Sequence, residues 1–376
     1  MEFGVFATGT VGPKPWDEVE PRVLRADVQS GIVADEAGFD TFWAPEHHAL
    51  EVYSHSSSSH LTCLAVGIQT KRIRVITGIM NICPTINHPV RVAEQIALMD
   101  ILTDGRVELG TGRGSGSTEV NTFGLFNEDT RELWEEAVRE IPKMWTQDLY
   151  AHDGKHFSVP ERCILPKPLQ KPHPPMWVTS SNPETVEVAG RMGLGVAVFS
   201  FQDPLLLKPL VETYKAAIAN PDPVSDVINN KFVTIAPLVC MEDGAKARQL
   251  QDDRAGQIDP WFATYFDTVR ELAERTKDEP RPIAQSRLRE MVEEARASEG
   301  LPGPFAKGVT DPEAMHQAGI CAGTPDEVAR TVARYQEAGV DQLVTLPRLA
   351  SWLEDEEQVW ESMRLFGREV IPRFKS

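Results

Sequence analysis

Eight short apolar segments recur along the chain, and a helical pattern follows each of them. The segments are rich in β-branched and aromatic residues, which favours β-strands. Between them, apolar residues recur every three or four positions, which favours amphipathic helices. Strands that alternate with helices form parallel sheets, and eight such units close as a (β/α)8 TIM barrel, an α/β fold. The predicted strands are residues 2–7, 39–44, 73–80, 106–110, 176–179, 196–201, 232–239 and 342–346.

Two longer segments interrupt this alternation. Residues 147–175 are rich in proline, and we interpret them as an ordered excursion before the fifth strand. Residues 243–320 follow the seventh strand and contain two amphipathic helical patterns, at 261–276 and 284–298. The loops that follow barrel strands form the catalytic mouth. We therefore predict a single domain over residues 1–376, with the 243–320 insertion as a lid over the mouth.

The net charge indicates which classes of partner the protein can bind, and the cysteines indicate the compartment in which it folds. With 38 Lys and Arg against 56 Asp and Glu, the formal net charge is −18, which argues against nucleic acid or an anionic membrane as a partner. No apolar run is long enough to span a bilayer, and the first residues lack the features of a signal peptide. The five cysteines are scattered, without a Cys-x-x-Cys pair. We predict a cytoplasmic protein with reduced thiols.

A carboxylate and two imidazoles follow the second predicted strand, as Glu46, His47 and His48. Neighbouring residues at a strand end point to opposite sides, so at most one histidine faces the barrel interior. One interpretation is a histidine acting as general acid or base, with Glu46 orienting it or touching a cofactor. The other is a buried, hydrogen-bonded polar cluster, and the residues alone leave both open. The chain has no His-x-His or His-Glu-x-x-His motif, so a zinc or iron site is not favoured.

Two turns are candidates for binding an anion. Residues 110–116 follow a predicted strand and place Arg113 among four glycines, which lets the backbone approach an anion closely. This segment is neither a dinucleotide fingerprint nor a P-loop. Residues 180–185 form a helix start, where free N–H groups and the hydroxyls of Ser181 and Thr185 suit a phosphate. Each segment is also compatible with an ordinary turn or cap, but together they indicate one phosphorylated ligand.

The landmarks of the chain, taken together, resemble those of bacterial luciferase-like flavin-dependent monooxygenases over nearly the whole length. They are the Glu46-His47-His48 motif, residues 84–102 and 105–114, Phe123-Gly124, and residues 167–177 and 323–339. The resemblance implies a TIM barrel that binds reduced FMN and uses dioxygen, through a flavin hydroperoxide, to oxygenate a small organic substrate. It also implies a homodimer and a separate flavin reductase that supplies the reduced FMN.

The resemblance further implies roles for individual residues. His47 matches the family's catalytic histidine, and Glu46 lies beside the flavin. At the end of the third strand the family often has a non-proline cis peptide against the flavin ring. The implied cofactor-binding residues are Ile79, Met80 and Asn81 at that strand end, Arg113 and Arg131 as basic contacts, and Ser181, Asn182 and Thr185 at the phosphate-side helix start.

Some positions differ from luciferase itself, and other functions stay open. Ile79 and Met80 are bulky where luciferase has small residues, and Gly112 replaces a cysteine. One alternative is a deazaflavin-dependent dehydrogenase or reductase on the same barrel, because a fold alone does not determine the cofactor. Another is a flavin-binding subunit without chemistry of its own. The residues do not name the substrate, and we expect its specificity to lie in the 243–320 insertion and in the loops after the first two strands.

Overall fold

The fold consists of parallel strands that alternate with helices. A computed structural model describes residues 1–51, 53–114, 116–125, 127–180, 182–200, 202–274 and 308–375. The strands are β1 (Glu2–Phe6), β2 (Thr41–Ala44), β3 (Arg74–Thr77), β4 (Met80–Asn81), β5 (Val107–Gly112), β6 (Tyr150–Asp153), β7 (Ser158–Arg162), β8 (Met176–Thr179), β9 (Gly195–Val198), β10 (Phe232–Cys240), β11 (Cys321–Gly323) and β12 (Gln342–Leu346). The α-helices are α1 (Val19–Ala37), α2 (Ser59–Gly67), α3 (Pro89–Leu102), α4 (Ser117–Thr122), α5 (Asn127–Thr146), α6 (Pro183–Arg191), α7 (Lys208–Ile218), α8 (Gly244–Glu274), α9 (Pro312–Gln317), α10 (Pro325–Glu337) and α11 (Glu356–Glu369).

Eight of these strands form a closed barrel in which every pairing is parallel. The order around the barrel is β1-β2-β3-β5-β8-β9-β10-β12, and β12 pairs with β1 to close it. These strands coincide with the eight predicted segments, so the predicted TIM barrel is confirmed. The short strands β4 and β11 add to the sheet beside β5 and β10. β6 and β7 form a separate antiparallel hairpin within the proline-rich excursion.

Side chains alternate between two cores along each barrel strand. Val5, Phe42 and Val75 belong to the outer core, between the strands and the helices. Their neighbours Phe6, Trp43 and Ile76 point into the barrel and belong to the inner core. This two-residue period is that of a strand with both faces buried. Trp43 and Trp177 meet edge to face at 5.2 Å and fill the interior, so a ligand site has room only above them, towards the carboxyl ends of the strands.

The predicted third strand is wrong at residues 78–79, where it is interrupted. β3 ends at Thr77, the peptide bond between Gly78 and Ile79 is cis, and the chain resumes as β4. The Thr77 hydroxyl donates to the Gly110 carbonyl and accepts from the Gly110 N–H, both at 2.9 Å. The Thr77 side chain therefore makes the hydrogen bonds to the neighbouring strand that the main chain of a regular strand would make at this point. The approach is close, since a Cβ on Gly110 would lie 1.8 Å from the Thr77 carbonyl oxygen.

The long insertion follows the seventh barrel strand, as predicted. Its first helix, α8, begins at Gly244, well before the predicted start at 261. The buried residues in this first part recur every three or four positions but are mostly small, polar or charged, which hides the helical stripe in the sequence; they are Gly244, Ala247, Gln251, Arg254, Ala255, Ile258 and Asp259. The second predicted helical pattern, 284–298, lies outside the described residues. No helix in the described part of the chain is long and apolar enough to cross a membrane.

Candidate active site

Glu46 connects the segment after β2 to β4 at the mouth of the barrel. Its carboxylate is buried and accepts hydrogen bonds from the Asn81 N–H at 3.1 Å and from the Asn87 side chain at 2.9 Å. The ring of His48 lies 3.4 Å from the same oxygen. These contacts hold the motif after β2 against β4. Glu46 orients His48 and not His47, so the hypothesis that Glu46 positions the catalytic histidine is corrected.

The partner of His47 is Glu119, in the first turn of α4. The His47 Nδ1 atom lies 2.7 Å from Glu119 Oε1. The carboxylate also accepts from the backbone N–H groups of His48, at 3.3 Å, and Gly116, at 3.2 Å. Because a carboxylate accepts, Nδ1 carries the hydrogen, and Nε2 is left as the second functional atom of the ring. His47 is therefore an oriented imidazole of the kind used for proton transfer.

Sequence reasoning missed Glu119, although a signal for it exists. Gly116 is the N-cap of α4, and Glu119 is the third residue of the helix, where a capping box places a glutamate. A glutamate there normally returns to the N-cap backbone, and Glu119 does so. The same helix start follows the glycine-rich turn 110–116, already identified as a mouth element. The pairing with His47 still requires a contact across 72 residues, which a local pattern does not reveal.

A small apolar cavity lies beside His47. His47 packs edge to face on Tyr53, with ring centroids 5.2 Å apart, and Tyr53 lines the cavity. Burial raises the pKa of Tyr53 above its usual 10, so its phenol stays neutral over the physiological range. The lining residues come from strands β1, β10 and β12, from the loops after β1, β2, β9 and β12, and from helix α8. They are Phe6, Thr8, Thr10, Tyr53, Phe199, Ile235, Ile258, Phe262, Leu346 and Leu349.

The elements in which specificity was expected contribute to this lining. The loop after β1, the loop after β2 and the insertion all supply walls of the cavity. A second small cavity shares Phe6, Phe199 and Ile235 with the first. It reaches Trp43 and Gly78, next to the cis peptide. The space above the filled interior therefore extends from α8 down to the end of β3.

The predicted basic residues lie together at the start of α6. Burial lowers the pKa of Arg113, and the positive charge of Arg131 lowers it further. Arg113 donates to the Thr130 hydroxyl at 3.0 Å. Arg131 is exposed and contacts Glu184, in the first turn of α6, at 3.4 Å. Glu184 and Glu135 raise the pKa of Arg131 by accepting hydrogen bonds from it. Two guanidinium groups near a helix N-terminus are the kind of donors that bind a phosphate.

The start of α6 has the predicted cap. Asn182 is the N-cap, its side chain accepts from the Glu184 N–H at 2.9 Å, and Pro183 is the first helical residue. Thr185 is half-buried in the first turn. Ser181 lies outside the described residues. Glu184, which would repel a phosphate, is exposed, and its charge is paired with that of Arg131.

The three residues predicted at the end of the third strand, Ile79, Met80 and Asn81, differ in how far they are exposed to a ligand. Met80 is fully buried in the outer core, so only its backbone is available to a ligand. Asn81 donates its N–H to Glu46 and accepts from the Cys83 N–H at 3.0 Å. Ile79 is half-exposed and covers Gly112, since a Cβ on Gly112 would lie 2.3 Å from Ile79 Cδ1. The bulky Ile79 and the small Gly112 are therefore complementary.

Comparison with known sequences identifies the family. A family model described as luciferase-like monooxygenase matches residues 1–342. The chain belongs to this family. It is 24% identical to the alkanal monooxygenase alpha chain of Photobacterium leiognathi over 96% of both chains. It is 25% identical to the F420-dependent glucose-6-phosphate dehydrogenase of Microbacterium testaceum over 92% of both. It is 30% identical to the oxygenase component of the flavin-dependent trigonelline monooxygenase of Acinetobacter baylyi, over 44% of this chain and 46% of that one.

Solved structures agree with the fold. The monooxygenase RslO1 from Streptomyces bottropensis superposes with a TM-score of 0.73 at 21% identity, over 100% of both chains. The oxygenating constituent of 3,6-diketocamphane monooxygenase from Pseudomonas putida, solved with FMN, gives 0.73 at 20% identity, over 100% of this chain and 99% of that one. The protein is an enzyme of the luciferase-like monooxygenase family, and thus an oxidoreductase.

This luciferase-like monooxygenase also contains a buried charge network that the sequence did not reveal. Arg348, after β12, pairs with Asp27 of α1 and lies 3.9 Å from Glu354. Arg254 of α8 lies 3.4 Å from Glu354. None of the four side chains is more than 6% exposed. Two positive and two negative charges therefore join the insertion helix to the mouth of the barrel.

Asp27 makes the stability of the fold depend on pH in an unusual direction. Burial raises the pKa of Asp27 from 3.8 to about 6, although Arg348 lowers it. The folded chain thus holds this proton more tightly, and the stability that this group contributes falls as pH rises from about 4 to about 6. The Asp27→Asn variant cannot titrate here. As the pH rises from about 4 to about 6, the free energy of unfolding of this variant is therefore expected to increase by about 3 kcal/mol relative to that of wild type. Urea unfolding at each pH measures this, and a pH-independent difference contradicts it.

Proposed function

We propose that the protein is a monooxygenase that uses reduced FMN and dioxygen to insert one oxygen atom into a small organic substrate. The observation that carries the proposal is the pairing of two groups at one barrel mouth. One is an oriented imidazole, His47 with Glu119, beside an apolar cavity. The other is a basic site, Arg113 and Arg131, at a helix start. A phosphorylated cofactor with a flat ring needs both kinds of surface.

The donor set fits FMN. Arg113, Arg131 and the first turn of α6 would hold the phosphate, because guanidinium forks and helix N-termini are preferred phosphate partners. Ile79, the backbone of Met80 and Asn81, and Glu46 would border the ring. Ser181, Asn182 and Thr185 would complete the phosphate side. When bound, reduced FMN supplies the electrons that activate dioxygen.

The chain's own residues would control protons and water. His47 would hold or move a proton at Nε2, while Glu119 fixes the ring through Nδ1. Tyr53 and Phe262 meet at 4.7 Å and close the cavity between the loop after β2 and α8. A site enclosed by such side chains excludes water, which limits the loss of reactive intermediates to hydrolysis and other side reactions. The insertion would act as the lid.

A deazaflavin-dependent dehydrogenase or reductase is the second candidate, because a full-length relative is named as F420-dependent. The two candidates differ in their use of oxygen. Titrating the purified protein with FMN and with the deazaflavin, and then adding dioxygen to the reduced complexes, separates them. We expect tighter binding of FMN and oxygen uptake by the reduced complex. Preferential deazaflavin binding without oxygen uptake would replace the proposal, and flavin binding without turnover would indicate a non-catalytic subunit.

We further propose a separate reductase and a cytoplasmic setting. A relative is named as an oxygenase component, which supports a partner that delivers reduced FMN. All five cysteines are free, and four of them are buried. Unpaired thiols suit a reducing compartment.

The protein is also proposed to form a homodimer through α2 and α3. These helices pack together and expose five large apolar side chains on one side of the barrel: Leu61, Ile68, Leu98, Ile101 and Leu102. A contiguous exposed apolar patch marks an interaction surface. Light scattering is expected to give twice the chain mass of 41.8 kDa for wild type. The double variant Leu61→Glu, Leu98→Glu should be monomeric, whereas Leu206→Glu, at an exposed leucine outside α2 and α3, should remain dimeric. A monomeric wild type would refute this interface.

A further inference from the structure

No charged side chain is among the described residues that line the cavity beside His47: eight are apolar or aromatic and two are threonines. The charged groups on neighbouring elements are already paired, Glu119 with His47, and Arg348 and Arg254 with Asp27 and Glu354. An ionised substrate would lose its hydration in this cavity without gaining a counter-charge, which is costly. The cavity therefore selects for neutral molecules.

One polar group in the lining has no assigned partner. Thr10 is fully buried, and its hydroxyl has no hydrogen-bond partner among the described residues. Thr8, the other threonine of the lining, is satisfied, because it donates to the Arg348 carbonyl at 3.3 Å. A buried hydroxyl without a partner is destabilising and is retained where it serves a ligand. Thr10 is thus the polar anchor that the lining offers.

We propose that the substrate is a compact, uncharged, mostly apolar molecule with one oxygen function, and that Thr10 is the specificity residue that binds this oxygen. This inference rests on the proposed function and names the substrate class of that site. The cavity is enclosed by side chains in close contact, with the rings of Tyr53 and Phe262 4.7 Å apart, which favours a compact molecule. The aromatic walls formed by Phe6, Tyr53 and Phe262 suit a ring system. The hydroxyl of Thr10 donates to a carbonyl oxygen or accepts from a hydroxyl.

Three ligands of matched shape test the proposal by calorimetry: indan-2-one, indane and indane-2-carboxylate. Wild type is expected to bind indan-2-one most tightly and the carboxylate about 100-fold more weakly or worse. The Thr10→Val variant keeps the shape of the side chain and removes the hydroxyl. It should bind indan-2-one about tenfold more weakly, and its affinity for indane should change by less than about twofold.

Two further measurements test whether Thr10 acts on ligand binding or only on the stability of the fold. The Thr10→Val variant should unfold at the wild-type temperature or above it, because it removes an unpaired buried group. The matched control Thr103→Val removes a buried hydroxyl that donates to the Met99 carbonyl at 2.8 Å, outside the cavity lining, so it should lower the melting temperature and keep the affinity for indan-2-one. The proposal is overturned if wild type binds none of the neutral ligands, if it binds the carboxylate as well as the ketone, or if Thr10→Val binds the ketone like wild type.

The titrations distinguish a failure of this substrate proposal from a failure of the proposed flavin function. Each titration is carried out on the protein with FMN and without it. Failure to bind FMN refutes the flavin proposal and leaves the ligand comparison intact. Failure of the ketone preference, in protein that does bind FMN, refutes the substrate class alone.

Discussion

Replacement of His47 with alanine is expected to reduce coupled turnover by about 100-fold or more, because a positioned acid or base contributes about that factor. Binding of FMN should be unaffected, since the basic site lies at Arg113 and α6, not at His47. Turnover is measured as oxygen uptake minus hydrogen peroxide release, with a panel of neutral ketones as substrates. Peroxide release reports oxygen consumed without oxygenation, so this difference isolates the step that His47 serves.

Variants of the neighbouring residues test whether the loss is specific. Glu119→Gln keeps the side-chain shape but offers an amide to Nδ1, so it should lower coupled turnover by about tenfold or more through a disordered or wrong tautomer. His48→Gln is the matched control, because His48 is the adjacent imidazole and contacts Glu46. It should retain turnover within about fivefold of wild type, well short of the loss assigned to a general acid or base. Equal losses in the His47 and His48 variants would show that the motif has only a structural role.

Arg348→Met is expected to have the largest effect on stability. Removing this guanidinium leaves the carboxylates of Asp27 and Glu354 buried with one cation, Arg254, between them. Breaking a buried ion pair costs about 3–5 kcal/mol. For a chain of this length that corresponds to a fall in melting temperature of about 4–6 °C. Differential scanning calorimetry measures it.

An exposed pair provides the matched control. Arg364 also pairs with a carboxylate, Glu357, but its side chain is 45% exposed. The same substitution, Arg364→Met, should cost less than about 0.5 kcal/mol, because exposed pairs are screened by water. The double variant Asp27→Asn, Arg348→Met leaves the Arg254–Glu354 pair and removes the uncompensated charge, so it should recover part of the loss. Similar melting temperatures for Arg348→Met and Arg364→Met would contradict this account of the network.

The barrel was predictable because its determinants are local. Each strand is a short apolar run between turn residues, and each run is buried on both faces, so residues such as Val5 and Phe6 carry the signal side by side. Helix caps are equally local: Thr324 and Glu327 form a capping box at the start of α10, and Asn182 caps α6. These features depend on a few consecutive residues.

The parts that were missed depend on contacts between distant residues. Glu119 meets His47 across 72 positions, and Arg348 meets Asp27 across 321. The interruption after Thr77 arises from its hydroxyl, which bonds to Gly110 on the adjacent strand. The complementary sizes of Ile79 and Gly112 are visible only when the two strand ends are placed together. The sequence shows which residues are candidates for the site, but only the folded structure shows which of them are in contact.

The central claim is that one phosphorylated flavin occupies the mouth with its phosphate at Arg113. Fluorescence titration with FMN and with riboflavin, which lacks the phosphate, tests it most directly. Wild type is expected to prefer FMN by about tenfold or more, and Arg113→Met should lose most of that preference, because charge-assisted phosphate contacts are strong. Arg139→Met, on the exposed face of α5, should keep it. Equal binding of FMN and riboflavin by wild type, or an unchanged preference in Arg113→Met, would contradict the claim.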